Sequence, residues 1–549
     1  MKLNSAAFFC GTCLLAVSAS AAGNNVGGAQ EPMKAGIDPL KFRAACPDYK
    51  SYSMHQHPPY SESPLKLPFQ RPSIYCRTFE SPMVEKVIDD MKKKLVDKDL
   101  ARLFENAFPN TLDTTVRWHV DSNFKPKTPQ NIWEKDAWKG PQSFIVTGDI
   151  NAEWLRDSTN QLQQYQLLAK KDKDIHQLIL GAINTQSEYV IVSPYCNAFQ
   201  PPPASGLNPT SQGDGDNVHP AYENHFVFEC KYELDSLAHF LSLANQFYNH
   251  TGSTEFLNER FILALESLLT VIREQSRPTF NPETGAFQRN EYRFQRQTNI
   301  GTETLSLGGQ GNPLNSGTGL VRSAFRPSDD ATILGFFVPA NAMMSVELKR
   351  TAAMLRKAGK KEIADRVQKV GQTIEDGVWE HAVVQHKTYG KVFAFEVDGF
   401  GSSILMDDAN LPSLLALPLL GFVSVDNEVY QNTRKMILSK KGNPYYLVGE
   451  DFWGIGGPHV GPRHAWPMSV LVQAMTSDSD EEIMRCLGAV KNVSRNGLIH
   501  EGVNVEMGRD YTRSWFAWAN SVFAQTVLDL AQRKPELLFG AGAEAYAVG

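Results

Sequence analysis

The strongest constraint on this chain is periodic. From Met83 onward, apolar residues return at helical spacing in one segment after another, with almost no alternating stretch between them. Val84, Val87, Ile88, Met91 and Leu95 fall on one face with charges between them, and Leu234, Leu237, Leu241 and Ala244 do the same within 232–248. The spacing predicts further helices over 256–272, 341–355, 362–378, 430–438, 467–475, 481–490 and 514–530. Only 392–397 (Val-Phe-Ala-Phe-Glu-Val) reads as a strand. Helix after helix without regular strands excludes an α/β barrel and leaves an all-α body.

The connections are long and rich in Gly, Pro, Asp, Asn and Trp, notably 193–220, 293–330, 398–412 and 443–466. Ordered loops of that length are usually functional, and their aromatic content argues against disorder. Gathered at one end of a helical scaffold, they would wall a pocket. The helical body is expected over 81–549. Residues 22–80 are rich in Gly, Pro and Ser without clear periodicity and are expected to pack on it as an extended leader.

Residues 1–21 read as a secretory signal: Lys2, an apolar run to Val17, then Ala19-Ser20-Ala21 at a small-x-small cleavage site. The apolar run is too short to span a bilayer, and no later stretch is long and apolar enough to cross one. The expectation is a chain that enters the secretory pathway, is secreted or retained there, and is not held in a membrane. After cleavage Cys46, Cys76, Cys196, Cys230 and Cys486 remain, an odd number that permits at most two bridges. The pairs nearest in sequence are Cys46 with Cys76 and Cys196 with Cys230. Sequons stand at Asn249 and Asn492. Formal net charge is -6 with 21% charged residues, so the basic stripe of a nucleic-acid binder is missing.

Four acidic clusters lie beside aromatic or glycine residues. They are 148–158, with Asp149, Glu153, Trp154, Arg156 and Asp157; 325–330, with Arg326, Ser328, Asp329 and Asp330; 396–410, with Glu396, Asp398, Asp407 and Asp408; and 499–504, with His500 and Glu501. Taken singly, helix capping accounts for each cluster at least as well as catalysis. Capping, however, needs no neighbouring Trp, Arg and Gly, and four such clusters in one helical chain favour a sugar site. Carboxylates and Arg bond hydroxyls, and aromatic rings cover the apolar face of the sugar. Glycoside cleavage needs one carboxylic acid to protonate the leaving oxygen and one carboxylate to activate water or attack C1. The adjacent pair Asp329-Asp330 suits the acid, because neighbouring like charges raise one pKa, and Glu501 suits the base.

Other chemistries are less supported. The chain has no Gly-x-Ser-x-Gly elbow, no P-loop and no His-Glu-x-x-His. Asp214 and Asp216 lack the remainder of a calcium loop. His459 and His464 have no carboxylates at metal-ligand spacing.

Together, Glu153-Trp154-Leu155-Arg156-Asp157-Ser158, 231–237, 325–330, 396–401, 406–412, 443–446, 454–459, His500-Glu501-Gly502 and 512–520 resemble glycoside hydrolase family 125. The resemblance runs from about 82 to about 530. It implies an (α/α)6 barrel and an exo-acting α-mannosidase that cleaves terminal α-1,6-linked mannose with inversion and without a metal or other cofactor. It also implies a mid-chain Asp as general acid and a late Glu as general base. The base falls on Glu501. The acid falls on Asp329 or Asp330, which the motif does not separate, with Asp235 as the runner-up. Trp154, Arg156, Asp157, Arg326, Asp398, Asp408 and His459 are expected to bind the terminal mannose, and Arg513 to orient Glu501 or hold a hydroxyl. The implied partners are α-mannoside glycans such as N-glycan or mannan fragments, met by a monomer. Two alternatives stand beside this one. One is another inverting glycosidase on the same barrel, such as a glucosidase or trehalase-like enzyme. The other is a non-catalytic glycan-binding protein, which would have lost a carboxyl that this chain keeps.

Overall fold

The helices come in two kinds, and the difference tells where each sits. In chain order the main ones are α1 (Pro82–Lys94), α2 (Lys98–Ala107), α3 (Leu155–Gln163), α4 (Lys173–Val192), α5 (Leu234–Thr251), α6 (Glu259–Gln275), α7 (Val338–Lys357), α8 (Lys361–His381), α9 (Leu417–Leu420), α10 (Glu428–Ile437), α11 (Pro467–Met475), α12 (Asp480–Val493) and α13 (Ala517–Arg533). The computed structural model describes residues 46–125, 140–213 and 215–548; the signal segment, the first part of the leader (22–45) and Asp214 lie outside these.

Some helices are amphipathic. α8 buries Ala364, Val367, Gly371, Ile374, Gly377 and Val378 and leaves its other positions mostly to solvent. Others are buried nearly all round: α5 buries every residue from Leu234 to Asn245. A helix apolar on one stripe lies outside, and one buried on all sides lies inside. The packing follows this rule except at α4, an outer helix that buries every residue from Gln177 to Ser187, and at the short α9, which buries only Leu417. α13 packs on α3, α3 on α5, α5 on α7, α7 on α9, and α11 on α13, so α3, α5, α7, α9, α11 and α13 form the inner ring. α4, α6, α8, α10 and α12 lie outside them, and α2 packs on α13 from the N-terminal side. This alternation is the expected (α/α)6 barrel.

The two rings also begin differently. Outer helices start with capping side chains: Asp97 before α2, Asp172 before α4, Asn258 before α6, Asn427 before α10 and Ser479 before α12 each accept a hydrogen bond from the first turn. α8, preceded by Lys360, is the exception. The inner helices α3, α5, α7, α11 and α13 are preceded instead by Trp154, Glu233, Phe337, Trp466 and Phe516, none of which makes a side-chain cap.

Very short strands brace the loops at that end of the inner helices. β1 (Glu153–Trp154), β2 (Ala198–Phe199) and β3 (Val227–Glu229) pair antiparallel, as do β4 (Phe336–Phe337), β5 (Glu396–Val397) and β6 (Ser403–Ile404). β7 (His464–Ala465) pairs with β8 (Val503–Asn504), which ties the loop before α11 to the loop that carries Glu501. The strand expected over 392–397 is split: Gly390–Phe393 pairs with Val383–His386, and β5 belongs to a different sheet.

The part of the leader that is described lies on the body. Arg71 pairs with Asp113 at 2.7 Å, and the Gln70 amide donates to the carbonyl of Asn496 at 2.9 Å. Pro47–Gly549 is one compact unit. Cys196 and Cys230 form a disulfide, and Cys486 is free and buried. Among the described residues no helix is long and apolar enough to cross a membrane.

Candidate active site

A cleft with about 430 Å³ of empty space, its open mouth included, lies where the inner helices begin. Trp154, Trp466 and Phe516 stand at the starts of α3, α11 and α13 and line it together with Trp518, the second residue of α13. Aromatic rings therefore occupy the positions that serine or aspartate takes on the outer helices. Phe516 meets Trp518 at 5.9 Å and Trp466 at 6.0 Å between ring centres. The positive ends of these inner helices face the same space, which favours anionic groups there.

Asp157, Asp329 and Glu501 place carboxylates in the cavity, and Arg156, Arg513 and His459 also line it. Glu501 is held from two sides. The Thr512 hydroxyl donates to its Oε2 at 2.8 Å, and Arg513 Nε lies 3.4 Å from its Oε1. Arg513 in turn donates to Asp149 at 3.0 Å. A carboxylate oxygen has about two lone-pair sites, so Glu501 keeps acceptor capacity toward the cavity. His500 stacks on Tyr511 at 3.8 Å, and its Nδ1 lies 2.9 Å from the carbonyl of Arg513. Burial pushes the imidazole down to about 4, which keeps it neutral near pH 7.

The structure separates the two mid-chain aspartates. The Asp329 side chain is 29% exposed, lines the cavity, and sits 3.6 Å from Lys231. Its φ of 69° lies in the left-handed region, which an aspartate tolerates better than most residues. Asp330 is 2% exposed and does not line the cavity; its Oδ2 lies 3.2 Å from the Ser328 hydroxyl. Asp235 is fully buried, 3.7 Å from Arg156, and also lies off the cavity.

Three residues expected to bind sugar do other things. Arg326 is sealed in an ion pair with Glu396 at 2.6 Å. Asp398 accepts from the backbone N–H groups of Phe400 and Ser402 and so shapes its own turn. Asp408 accepts from Ser328 at 2.7 Å and from the Asn410 amide at 2.9 Å, positioning two cavity-lining residues without lining the cavity itself. None of the three lines the cavity; Arg326 stands beside Phe325, Asp398 beside Gly399 and Asp408 beside Ala409, and neighbouring protein groups take up the charge or acceptors of each. Trp154, Arg156, Asp157, His459 and Arg513 do line the cavity.

The electrostatics behind the wall rest on residues the motifs did not single out. Arg156 donates to Glu233 and lies 3.4 Å from Asp157. Burial raises Glu233 well above the usual carboxylate range against the pull of Arg156. Burial also lifts Asp157 to about 6; Arg156 and Arg513 oppose the rise, while Asp329 and Glu501 add to it. Asp329 goes the other way. Burial pushes it up, but Lys231, Arg156, His459 and Arg513 together hold it at about 2. Burial and Asp408 lift Asp330 to about 6.

Sequence reading missed Lys231, Glu233, Trp466, Phe516 and Trp518 as individual site residues. The position just before an inner helix is the signal that would have found Glu233, Trp466 and Phe516. The Nε1 of Trp154, Trp466 and Trp518 have no hydrogen-bond partner within the protein, and Arg156 Nε, Asp157 Oδ2 and Asp329 Oδ1 have only ion-pair contacts, at 3.4 Å between the first two and 3.6 Å from Asp329 to Lys231. Buried polar atoms are normally hydrogen-bonded, so these atoms around one cavity describe a surface suited to a polyhydroxylated ligand. Among the described residues no three His, Cys, Asp or Glu side chains are grouped to hold a metal ion.

Known proteins resemble this chain along most of its length. The family model described as metal-independent alpha-mannosidase (GH125) matches residues 97–528. The meiotically up-regulated gene 157 protein of Schizosaccharomyces pombe is 52% identical over 495 residues, which cover 90% of this chain and 94% of that protein. A Streptococcus pneumoniae metal-independent α-mannosidase, solved in a non-productive complex with α-1,6-mannobiose, superposes with a TM-score of 0.72 at 32% identity. That match covers 82% of this chain and 99% of the bacterial one.

Proposed function

The chain belongs to the metal-independent α-mannosidase family GH125, and from that premise we propose that it removes terminal α-1,6-linked mannose from glycans by single displacement, with Asp329 as acid and Glu501 as base. The observation that carries this reading is the shared cavity: Asp329 and Glu501, from distant parts of the chain, line one space among four aromatic residues. Asp329 gives its proton to the bridging oxygen as the C1–O bond breaks. Glu501 takes a proton from a water that attacks C1 from the opposite face. The products are β-mannose and a glycan with a free 6-hydroxyl. Inversion of this kind calls for carboxyl groups about 6.5–9.5 Å apart, room enough for the water.

Arg156 and Asp157 bond the hydroxyls of the terminal sugar, and Trp154, Trp466 and Trp518 cover its apolar faces. Asp329 is ionised in the free site, so it takes up its proton as the sugar displaces water and strengthens the burial that already pushes its carboxyl upward. Catalytic geometry comes first in choosing the acid, because hydrogen bonds and pKa values of an empty site tighten and shift in the complex. The substrates that fit the bacterial relative's ligand are N-glycan or mannan fragments, acted on by a monomer.

Hydrolysis of α-1,6-mannobiose and isomaltose by the same preparation tests the reading. Release of mannose with no release of glucose is expected. Turnover of isomaltose alone would replace it with the glucosidase alternative, and binding of mannobiose without cleavage would replace it with the glycan-binding one.

We also propose export through the secretory pathway. The signal pattern at residues 1–21, the Cys196–Cys230 disulfide and the exposed sequon residues Asn249 and Asn492 support it. A mature N-terminus near Ala22 with N-glycan attached is the expected result, and an intact, unglycosylated Met1 form would exclude it.

A further inference from the structure

The loop that carries Glu501 is gripped by the leader on the side away from the cavity. Gln70, fully buried, donates through Nε2 to the carbonyl of Asn496 at 2.9 Å and to the carbonyl of His55 at 2.8 Å. Asn496 returns a bond to the carbonyl of Ser53. The Ser53 hydroxyl meets that of Ser514 at 3.3 Å. The Tyr49 ring stands edge-on to Trp515, 5.0 Å between centres, and its hydroxyl donates to the carbonyl of Gln70 at 2.7 Å. Three leader residues thus hold the loop just before Glu501, at Asn496, and just after Arg513, at Ser514 and Trp515.

Trp515 carries the contact further inward. A Cβ at Gly148 would come within 2.4 Å of the Trp515 ring, so the indole is wedged between Tyr49 and the backbone of Gly148. The next residue, Asp149, anchors Arg513, and Arg513 lies against Glu501. The route from Tyr49 to the base is continuous: ring to ring, ring to backbone, carboxylate to guanidinium, guanidinium to carboxylate. The leader residues Tyr49, Ser53 and Gln70 precede the 97–528 stretch that the family model matches.

We infer that Tyr49, Ser53 and Gln70 are positioning residues that set the orientation of Glu501 through the 494–516 loop. The inference rests on Glu501 being the base. A carboxylate displaced by about 1 Å from its water can cost up to about 100-fold in rate, while the terminal sugar, held mainly by the α3 side of the cavity, still binds.

The test uses the full-length protein with α-1,6-mannobiose. Tyr49→Leu and Gln70→Ala are expected to lower kcat about 10-fold or more with KM little changed. Tyr49→Phe, which keeps the ring on Trp515, should recover most of the loss. In a Glu501→Gln background the leader substitutions should cost nothing further. If Tyr49→Leu does not fold, Ser53→Ala and Gln70→Ala decide. Wild-type kcat in folded variants overturns the inference, as does a loss of the same size in the Glu501→Gln background or a loss that Tyr49→Phe does not recover. Substantial activity in Glu501→Gln alone refutes the base assignment instead, so the two failures are told apart.

Discussion

Asparagine at 329 and at 330 should have opposite consequences. Of the two, Asp329 lines the cavity and Asp330 does not, and Asp329 is the proposed acid. Removing its proton removes general acid catalysis, a contribution of about 10²–10⁴-fold, or roughly 3–5 kcal/mol at 1.36 kcal/mol per factor of ten. The fold should tolerate the change, because asparagine adopts a φ of 69° as readily as aspartate does. Asp330 is buried against Ser328 and Asp408. Asparagine there keeps a polar group beside Ser328 and relieves a buried charge, so kcat should fall less than about tenfold, well short of a general acid's contribution, and melting temperature should hold or rise. The assay is kcat on α-1,6-mannobiose and on α-mannosyl fluoride. Fluoride leaves without a proton, so the Asp329→Asn deficit should nearly vanish on the fluoride while remaining on the disaccharide. A larger loss in Asp330→Asn than in Asp329→Asn, or an Asp329→Asn deficit equal on both substrates, would refute the reasoning.

Two further outcomes follow from buried charge. Lys231 is among the groups that hold Asp329 down, so Lys231→Met should raise the pKa of the acid. The acid works only when protonated, so the alkaline limb of kcat/KM, which reports the free enzyme, should move to higher pH; a move to lower pH would contradict the assignment. Glu153 is fully buried, and burial lifts it from 4.5 to about 8. The folded state then holds a proton that the unfolded chain releases, and stability should decline as pH rises from about 4.5 to about 8 and level off above that. Glu153→Gln does not titrate and should show a shallower decline in melting temperature over that window; an unchanged slope would place the loss elsewhere.

How much was legible in the sequence depended on whether a residue's role is local. The amphipathic outer helices were readable because one face meets solvent, and α8 and α12 lie within a few residues of their expected bounds. α4 was missed although it has 20 residues. It is rich in Ile and Val, which lower helix propensity, and it is buried over much of its length, which blurs the stripe that periodicity detects. α3 was missed because it is short and polar. In the site, Trp154, Arg156, Asp157, His459, Glu501 and Arg513 carried a local signature, and all six line the cavity. Arg326, Asp398 and Asp408 carried the same signature and turned out to serve neighbouring backbone and side chains. The choice between Asp329 and Asp330 depends on one backbone angle, which composition does not encode. Lys231 and Glu233 gain their importance from Asp329 and Arg156, partners brought near only by the closed ring of inner helices.

Proton NMR of the first mannose released from α-1,6-mannobiose tests the paired-carboxylate mechanism most directly. Water delivered by Glu501 from the face opposite the leaving oxygen predicts β-mannose as the first-formed anomer, with α-mannose growing in afterwards by mutarotation. First-formed α-mannose would mean that a covalent intermediate or a different pair of groups carries the reaction.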